Sequence, residues 1–338
     1  MELNYSMSKV NIAVLGGGNM GTAIAQLGAK NGHRVWLWDY QLRTIDTITR
    51  TGKNEKFLPG VKFSQRIIPE ASMKTAIEKA DLVILACSSS YMRVTVQHLA
   101  HCLEGRKVIV VQAAKGIEGK TFLTMHEVVQ SELPPSLCRG VVTISGPSIA
   151  AEFVRGIPTA VVAASQMRNA AKFVSGAFTS DTFKVVLSTD YRGVGLCGAL
   201  KNVYAIALGM CDGMRLQMNA KVFMLMSAFN EMEQIAGKLG GKRATVYGLA
   251  GLGDMIVTGL GEGRNRALGE KICKAGHYRF VWKKDTETVE GVGATKVFQE
   301  LTRRKKISAP LVELVYRVLY KEADPCRAVT KFFATVKL

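Results

Sequence analysis

The stretch Gly16–Gly21 reads Gly-Gly-Gly-Asn-Met-Gly and fits the pattern G-x-G-x-x-G, with glycine at positions 16, 18 and 21. The apolar stretch Val10–Leu15 precedes it and predicts a β-strand, and Thr22–Lys30 follows it with the composition of a helix. A second apolar stretch, Arg34–Trp38, ends at Asp39. Strand, glycine-rich turn, helix, strand and acidic residue, in this order, predict a dinucleotide-binding unit.

Each part of this motif has a physical role in binding a dinucleotide. Gly16 permits the tight turn out of the strand, Gly18 lets the backbone approach a pyrophosphate, and Gly21 lets the helix pack closely on the sheet. The first helical turn, which contains Asn19 and Met20, offers N–H groups and the positive end of the helix dipole to the phosphates. We therefore expect these five residues to contact the cofactor.

Composition limits the class of protein. The chain has 338 residues, of which 48% are apolar and 21% charged, which is ordinary for a globular protein and enough for two domains. Its uninterrupted apolar runs are shorter than the ~18 residues that span a bilayer, so we expect no transmembrane segment. We expect Met1–Ser8 to be a loose lead-in rather than a signal peptide, with Met7 as an alternative start.

Seven cysteines are scattered along the chain without a C-x-x-C pair. This pattern predicts reduced thiols, no metal site and a cytoplasmic location. The net charge of +18 has two interpretations, namely nucleic-acid binding or an enzyme that acts on anionic ligands. Arg303–Lys306 is the one dense basic run and no nucleic-acid-binding motif is visible, so we expect anionic small molecules and no nucleic acid as partners.

Alternating strand and helix patterns continue to about residue 189, and helical patterns dominate beyond it. Further strands are predicted at Asp81–Cys87, Lys107–Val111, Val141–Ser145, Thr159–Ala164 and Phe183–Leu187. Apolar strands separated by helices indicate a mainly parallel sheet with both faces covered. We predict an α/β protein, with a Rossmann-type dinucleotide-binding domain at residues 1–189 and an all-helical substrate domain at residues 190–338.

Two lysines are candidates for chemistry. Lys115 follows a predicted strand, and ligands of open α/β sheets bind beyond the carboxyl ends of strands. Lys201 borders the apolar stripe of a predicted helix, where burial or a second cation such as Lys115 would lower its pKa. The alternatives are a solvated loop lysine at position 115 and, at position 201, a lysine that only extends past the core. Gly146–Ser148 follows another strand and is a third candidate position.

Two glycine-rich stretches add polar candidates in the second half of the chain. Gly251–Thr258 carries an acid, Asp254, beside apolar residues, and Val289–Gly293 carries Glu290 among small residues. Arg264 and Asn265 stand at a predicted helix start, where an arginine and helix N–H groups together suit a phosphate. Arg266 we interpret as a surface arginine.

In their order and spacing these blocks resemble the NAD(P)-dependent glycerol-3-phosphate dehydrogenase family, especially its bacterial type, over nearly the whole chain. The resemblance rests on Gly16–Gly21, Lys115–Gly116, Gly146–Ser148, Leu200–Asn202, Gly251–Asp254, Arg264–Asn265 and Glu290–Gly291. It implies reversible reduction of dihydroxyacetone phosphate to sn-glycerol 3-phosphate, which feeds glycerophospholipid synthesis, without a metal. Family members are commonly dimers, so we expect a homodimer.

The resemblance also implies a role for individual residues. Lys201 would be the general acid for the carbonyl oxygen, and the base in the reverse direction. Substrate contacts are implied for Lys115, Gly146, Ser148, Lys201, Asn202, Asp254, Thr258, Arg264 and Asn265. Cofactor contacts are implied for Lys115, Ala150, Arg264 and Glu290, besides the glycine motif and Asp39.

Two departures from the family pattern matter. Gly263 stands where many bacterial members carry serine, so that phosphate contact must come from backbone N–H groups or elsewhere. Many members also carry arginine just after the second strand, where this chain has Asp39. A carboxylate there accepts hydrogen bonds from ribose hydroxyls but repels a 2′-phosphate, which predicts a preference for NADH over NADPH. Arg34 and Arg43 leave NADPH as an alternative.

Two competing hypotheses remain at this stage. One is a two-domain reductase of the 3-hydroxyacid or ketopantoate type, which also uses a lysine. Arg264 and Asn265 favour a phosphorylated substrate instead. The other is a non-catalytic dinucleotide sensor that binds nucleic acid through its basic surface, against which the presence of both Lys115 and Lys201 argues.

Overall fold

The structure is a computed structural model that describes residues 9–282 and 289–336. The expected lead-in Met1–Ser8, with its alternative start at Met7, lies outside the described residues. The chain divides into two compact units: Met1–Ala114 with Met125–Tyr191, and Lys115–Thr124 with Arg192–Leu338. The segment Lys115–Thr124 thus groups with the second unit, although it precedes residue 189. The assignment of cofactor and substrate binding to residues 1–189 and 190–338 stays a prediction.

The first unit contains one eight-stranded sheet. Its strands are β1 Asn11–Leu15, β2 Arg34–Trp38, β3 Ile67–Glu70, β4 Leu82–Leu85, β5 Val108–Gln112, β6 Cys138–Ser145, β7 Thr159–Ala164 and β8 Phe183–Ser188. They are ordered β3-β2-β1-β4-β5-β6-β7-β8, and each neighbouring pair is parallel except β6 with β7. The predicted mainly parallel sheet is confirmed.

The helices of the first unit connect these strands. They are α1 Asn19–Lys30, α2 Leu42–Thr51, α3 Met73–Ile77, α4 Met92–Cys102, α5 Met125–Glu132, α6 Ala150–Phe153 and α7 Arg168–Phe178, with a 3₁₀ turn at Ser89–Tyr91. All residues of β4 and β5 are buried, as the two-sided apolar pattern of a covered parallel strand requires. The core of this unit forms around β1, β4 and α1.

Strand β3 was not predicted from the sequence. Strand β3 has four residues, includes Pro69, and lies at the edge of the sheet. Proline is tolerated at a sheet edge because no ladder hydrogen bond is lost on the open side. One buried residue out of four is too weak an apolar pattern to identify a strand.

The sheet topology brings the ends of several strands to one edge. Strands β1, β2, β4, β5 and β6 run in the same direction, so their carboxyl ends share that edge. The strand order reverses between β1 and β4, which is where ligands bind in open α/β sheets. Gly16, Asp39 and Gly146 directly follow β1, β2 and β6 and therefore lie at this edge.

The second unit is helical, as predicted. Its helices are α8 Tyr191–Gly213, α9 Met218–Lys238, α10 Arg243–Val246, α11 Asp254–Leu260, α12 Arg264–Ala275, α13 Tyr278–Trp282, α14 Glu290–Lys305, α15 Pro310–Tyr320 and α16 Pro325–Thr335, with a π-helical turn at Leu249–Gly253. An isolated bridge joins Ile117 to Thr124. Helix α8 is apolar all round and is buried from Gly193 to Cys211, so the other helices pack around it.

Among the residues that the structure describes, α8 is the one unbroken helix that is long and apolar enough to cross a membrane. Its most apolar 18-residue window has a mean hydropathy of 1.5 and is entirely buried, which is also typical of a core helix. Two helical segments that meet at a bend, Arg243–Leu260 and Arg264–Ala275, are together also long and apolar enough to cross a membrane. No segment of this length was predicted from the sequence because glycines, Lys201 and Asn202 interrupt the apolar runs of α8.

Candidate functional site

The glycine turn forms as its sequence predicts. Strand β1 ends at Leu15, Gly16 adopts a φ of +124°, and α1 begins at Asn19 after Gly18. A Cβ on Gly21 would lie 1.8 Å from the Gly16 carbonyl oxygen, so this close packing of helix on turn requires glycine. Beside Gly18, by contrast, a Cβ would meet nothing within 4 Å, which is the open backbone approach that a pyrophosphate needs.

Asp39 is held rigidly at the end of β2. The Gly17 N–H donates to Oδ2 at 2.6 Å and the Gln41 N–H donates to Oδ1 at 2.8 Å. Each oxygen keeps further acceptor capacity, which suits the two hydroxyls of a ribose. The residues of this edge therefore fit a dinucleotide.

The two arginines that left NADPH open are not equivalent. Arg34 begins β2, where its guanidinium lies 4.9 Å from the centre of the Trp36 ring. It precedes Trp38 by four positions, or about 13 Å along the strand, so it lies far from the end that carries Asp39. Arg43 is exposed in the first turn of α2, close in sequence to Asp39.

Gly146, Ser148 and Ala150 follow β6 in the first unit. Gly146 has a φ of +133°, and the Ser148 hydroxyl donates to its carbonyl oxygen at 3.0 Å. Ala150 begins α6 and is buried in the core of this unit. The turn thus has the tight form that its Gly-Pro-Ser sequence suggests, at the same sheet edge as the glycine turn.

A buried carboxylate joins two lysines in the second unit. The Lys201 ammonium on α8 donates to Asp254 Oδ1 at 2.5 Å and to the Thr258 hydroxyl at 2.7 Å. The Lys115 ammonium donates to the other oxygen, Oδ2, at 2.6 Å. Lys201 is 6% exposed and Asp254 is 1% exposed, so neither side chain is solvated. Lys115 is therefore not a solvated loop lysine, and Lys201 does not merely extend past the core, because both ammonium groups bind the buried Asp254.

Burial and neighbouring charge act in opposite directions on these groups. Burial lowers the pKa of Lys201 to about 7, with a further decrease from Lys115, although Asp254 opposes it. Burial alone would raise the pKa of Asp254, but the ammonium groups of Lys115 and Lys201 outweigh it and hold that pKa below its usual value. The result is an ionised carboxylate beside a lysine that titrates near neutral pH, which suits a group that gives and takes a proton.

Two asparagine side chains connect this cluster to the chain segments around it. The Asn202 amide donates to the Lys115 carbonyl oxygen at 3.2 Å and to Glu290 Oε2 at 3.5 Å. The Asn265 amide donates to Asn202 Oδ1 at 3.0 Å and accepts from the Gly291 N–H at 2.9 Å. Four segments that are distant in sequence are therefore held together by side-chain amides. This network of amide hydrogen bonds was not predicted from the sequence.

The start of α12 is open to an anion. Arg264 is its first residue and is exposed, and the capping residue Gly263 has no side chain with which to occupy the first N–H groups. Both polar atoms of the Asn265 side chain already bond within the network. What this position still offers a ligand is its backbone N–H and the second hydrogen of its amide.

Arg266 is partly exposed, but it also makes structural contacts that were not predicted from the sequence. Its guanidinium pairs with Asp212 at the end of α8 and donates to the carbonyl oxygens of Leu260 and Gly261 at 2.6 Å and 2.9 Å. It therefore fixes the turn that leads into α12 and its first residue, Arg264. The sequence carries no local signal for this role, because Asp212 is 54 residues away.

The structure brings the predicted residues together in two groups. In the second unit it gathers Lys115, Lys201, Asn202, Asp254, Thr258, Asn265 and Glu290. In the first unit, Gly16, Gly18, Asn19, Met20, Gly21, Asp39, Gly146, Ser148 and Ala150 lie at or just beyond the carboxyl edge of the sheet. Their individual contacts with ligands stay predictions.

Comparison with known proteins gives consistent matches over both units. The family models for NAD-dependent glycerol-3-phosphate dehydrogenase match residues 11–171 (N-terminus) and 190–330 (C-terminus). A glycerol-3-phosphate dehydrogenase (NAD(P)+) from Anaeromyxobacter dehalogenans is 37% identical over 319 residues, 94% of this chain and 96% of that protein. The corresponding protein of Moorella thermoacetica is 39% identical over 314 residues, with 93% and 92% covered.

A solved structure agrees with these relatives. The crystal structure of glycerol-3-phosphate dehydrogenase from Coxiella burnetii matches with a TM-score of 0.91 at 30% identity. The match covers 97% of this chain and 99% of that one. The similarity therefore extends to the arrangement of strands and helices along nearly the entire chain.

We predict that Gly291→Ala disrupts the amide network. An added Cβ would lie 2.5 Å from the Asn202 carbonyl oxygen and 2.6 Å from Asn265 Oδ1. Crowding of this kind costs about 1–3 kcal/mol, which urea unfolding would detect as a lower midpoint. Gly293→Ala, on the same helix, is the matched control, because its Cβ would meet nothing within 4 Å. Equal stability of the two variants would contradict the prediction.

Proposed function

This chain belongs to the NAD-dependent glycerol-3-phosphate dehydrogenase family, and from that premise we propose how its residues perform the reaction that names the family. The reaction is the reversible, nicotinamide-dependent reduction of dihydroxyacetone phosphate to sn-glycerol 3-phosphate, and its product would serve glycerophospholipid synthesis. The observation that carries the proposal is the buried cluster of Lys115, Lys201, Asp254 and Thr258. Family membership decides against a ketopantoate-type reductase and against a non-catalytic sensor.

Lys201 is the proposed general acid. The nicotinamide dinucleotide supplies a hydride for the carbonyl carbon, so negative charge develops on the carbonyl oxygen. An ammonium has three N–H donors, and Asp254 and Thr258 accept two of those of Lys201, which leaves one for that oxygen. Because burial brings its pKa to about 7, Lys201 can release the proton and take it back in the reverse reaction.

Asp254 and Lys115 support this proton transfer. Asp254 binds both ammonium groups through separate oxygens and so fixes the spacing of the two positive charges. Lys115 adds positive charge near the developing oxyanion, and in a water-poor site such charge lowers the barrier more than it would in water. Thr258 orients Lys201 through its hydroxyl.

The start of α12 is the proposed phosphate site. Arg264 supplies a charged fork, and the first-turn N–H groups supply further donors without a side chain at Gly263. Asn265 contributes its backbone N–H and amide, while Asn202 acts chiefly by positioning Lys115 and Glu290. Gly146 and Ser148 are further proposed substrate contacts.

The first unit is the proposed cofactor site. Gly16, Gly18 and Gly21, with Asn19 and Met20, would hold the pyrophosphate. Asp39 would accept the adenosine ribose hydroxyls, and its fixed negative charge supports a preference for NADH over NADPH. Cofactor contacts are also proposed for Lys115, Ala150, Arg264 and Glu290.

A cytoplasmic location, a homodimer and the lack of a nucleic-acid partner stay predictions. The scattered cysteines, which form no C-x-x-C pair, support a reducing compartment.

Replacing Lys201 tests the proposed acid directly. We predict that Lys201→Ala lowers kcat by about 10²–10⁴-fold, the usual contribution of a positioned acid, while NADH binding is retained. Steady-state kinetics and fluorescence titration with NADH would measure the two effects. Lys238→Ala removes an exposed lysine from α9 and is the control that should leave both unchanged. Wild-type turnover in Lys201→Ala would overturn the mechanism.

The pH dependence tests the state of Lys201. The reduction requires the protonated lysine, so kcat/KM should be constant at low pH and fall about tenfold per pH unit above the pKa near 7, whereas oxidation should rise with pH. Asp254→Asn removes the carboxylate that raises the pKa of Lys201, so the midpoint of the pH profile of this variant should move to lower pH. A midpoint that moves upward or stays in place would contradict the assignment.

Cofactor preference tests the role of Asp39. We predict a higher kcat/KM with NADH than with NADPH. Asp39→Asn keeps the shape but removes the charge, so it should increase relative NADPH use by at least about tenfold, since like-charge juxtaposition costs several kcal/mol. Asp46→Asn, an exposed acid further along α2, is the control. A clear preference of the unmodified protein for NADPH would refute the prediction.

A further inference from the structure

Two cysteines of the second unit lie side by side although 53 residues separate them in sequence. Cys273 is in the last turn of α12 and Cys326 is the second residue of α16. The Cys326 thiol donates to Cys273 Sγ at 3.8 Å, and both residues are free thiols. The pair lies outside the cluster of Lys115, Lys201 and Asp254 and has no part in the proposed reaction.

The two thiols differ in how a reagent could reach them. Cys273 is 8% exposed, and its Cβ packs against Gly213 of α8, so little of this residue is accessible to solvent. Burial, together with the neighbouring Cys326, raises the pKa of the Cys273 thiol well above its usual value. Cys326 is half-buried and reaches the surface. A dissolved oxidant therefore meets Cys326 first, and Cys273 is placed to react second.

We propose that Cys273 and Cys326 are a site of reversible thiol–disulfide exchange, in which a small disulfide of the glutathione type converts the pair to an intramolecular disulfide. The Cys326 sulfur gives up its proton and attacks one sulfur of the oxidant, whose S–S bond breaks and releases one thiol. The Cys273 sulfur then gives up its proton and attacks Cys326 Sγ, which releases the second thiol. The two protein thiols lose two electrons, and the oxidant gains them with the two protons.

Formation of the disulfide requires only a short movement of the two sulfurs. A disulfide needs an S–S distance of about 2.05 Å, so the sulfurs must approach by less than 2 Å from their present 3.8 Å. The bond would tie α16 to α12 and close a loop of 53 residues, which stabilises the folded state by restricting the unfolded chain.

The bond would leave the proposed phosphate site in place. Cys273 follows Arg264 by nine residues on α12, which is about 13 Å along the helix axis. Oxidation is therefore expected to raise stability without loss of kcat/KM. The state of the two thiols is measured by peptide mapping and the dehydrogenase reaction by kinetics, so a negative result for one does not affect the other.

The test treats the full-length protein with oxidised glutathione, followed by alkylation of free thiols and peptide mass mapping. The expected product has a Cys273–Cys326 cross-linked peptide, and dithiothreitol restores both thiols. The melting temperature of the oxidised protein should be about 5 °C higher than that of the reduced protein. Persistence of glutathione on Cys326 with Cys273 still reduced, or a bond from Cys273 to Cys211, would overturn the proposal.

Two variants separate the steps. Cys273→Ser should stop at a glutathione adduct on Cys326, and Cys326→Ser should leave Cys273 as an unmodified thiol. Cys138→Ser, which removes a half-buried thiol of the first unit, is the control that should still form the disulfide. A glutathione adduct on Cys273 in Cys326→Ser would contradict the order of reaction. The peptide map of the unmodified protein decides the proposal even if a variant fails to fold.

Discussion

The ion pairs of the buried Asp254 carboxylate hold the proposed active site of the second unit together. An ionised group with 1% of its surface exposed is stable only where opposite charge and hydrogen bonds replace water, and Lys115 and Lys201 supply both. The same enclosure that makes Asp254 need two lysines also lowers the pKa of Lys201 to about 7. Burial therefore explains both why Asp254 is paired with two lysines and why the pKa of Lys201 is lowered.

The scaffold around this carboxylate is set by a central apolar helix. Helix α8 carries Lys201 and Asn202 in the middle of a stretch that is otherwise apolar, so folding the core places these two polar side chains at fixed positions. Asn202 and Asn265 then hold Lys115 and Glu290 through amide hydrogen bonds rather than through charge. Amides have a fixed directionality of donor and acceptor, so they specify geometry without adding to the local charge.

Local motifs were predictable where their meaning depends on neighbours in sequence. The glycine turn, the strands of the parallel sheet and the start of α12 at Arg264 each follow from residues within one turn or one strand. Strand β3 escaped prediction because Pro69 and its exposed edge position hide the apolar pattern. The ion pair of Arg266 was not predicted because its partner, Asp212, lies 54 residues earlier, on α8.

The dinucleotide-binding motif, the α/β class, the helical second half and, through resemblance, the family were all predictable from the amino-acid sequence. The motif and the secondary structure depend on backbone conformation and on the spacing of apolar residues, and both act over a few residues. Three features became visible in the folded chain: Asp254 joins Lys115 to Lys201, two asparagines connect four segments, and Cys273 contacts Cys326. Contacts between residues 50 to 140 positions apart depend on how helices pack, and neither spacing nor composition records that packing.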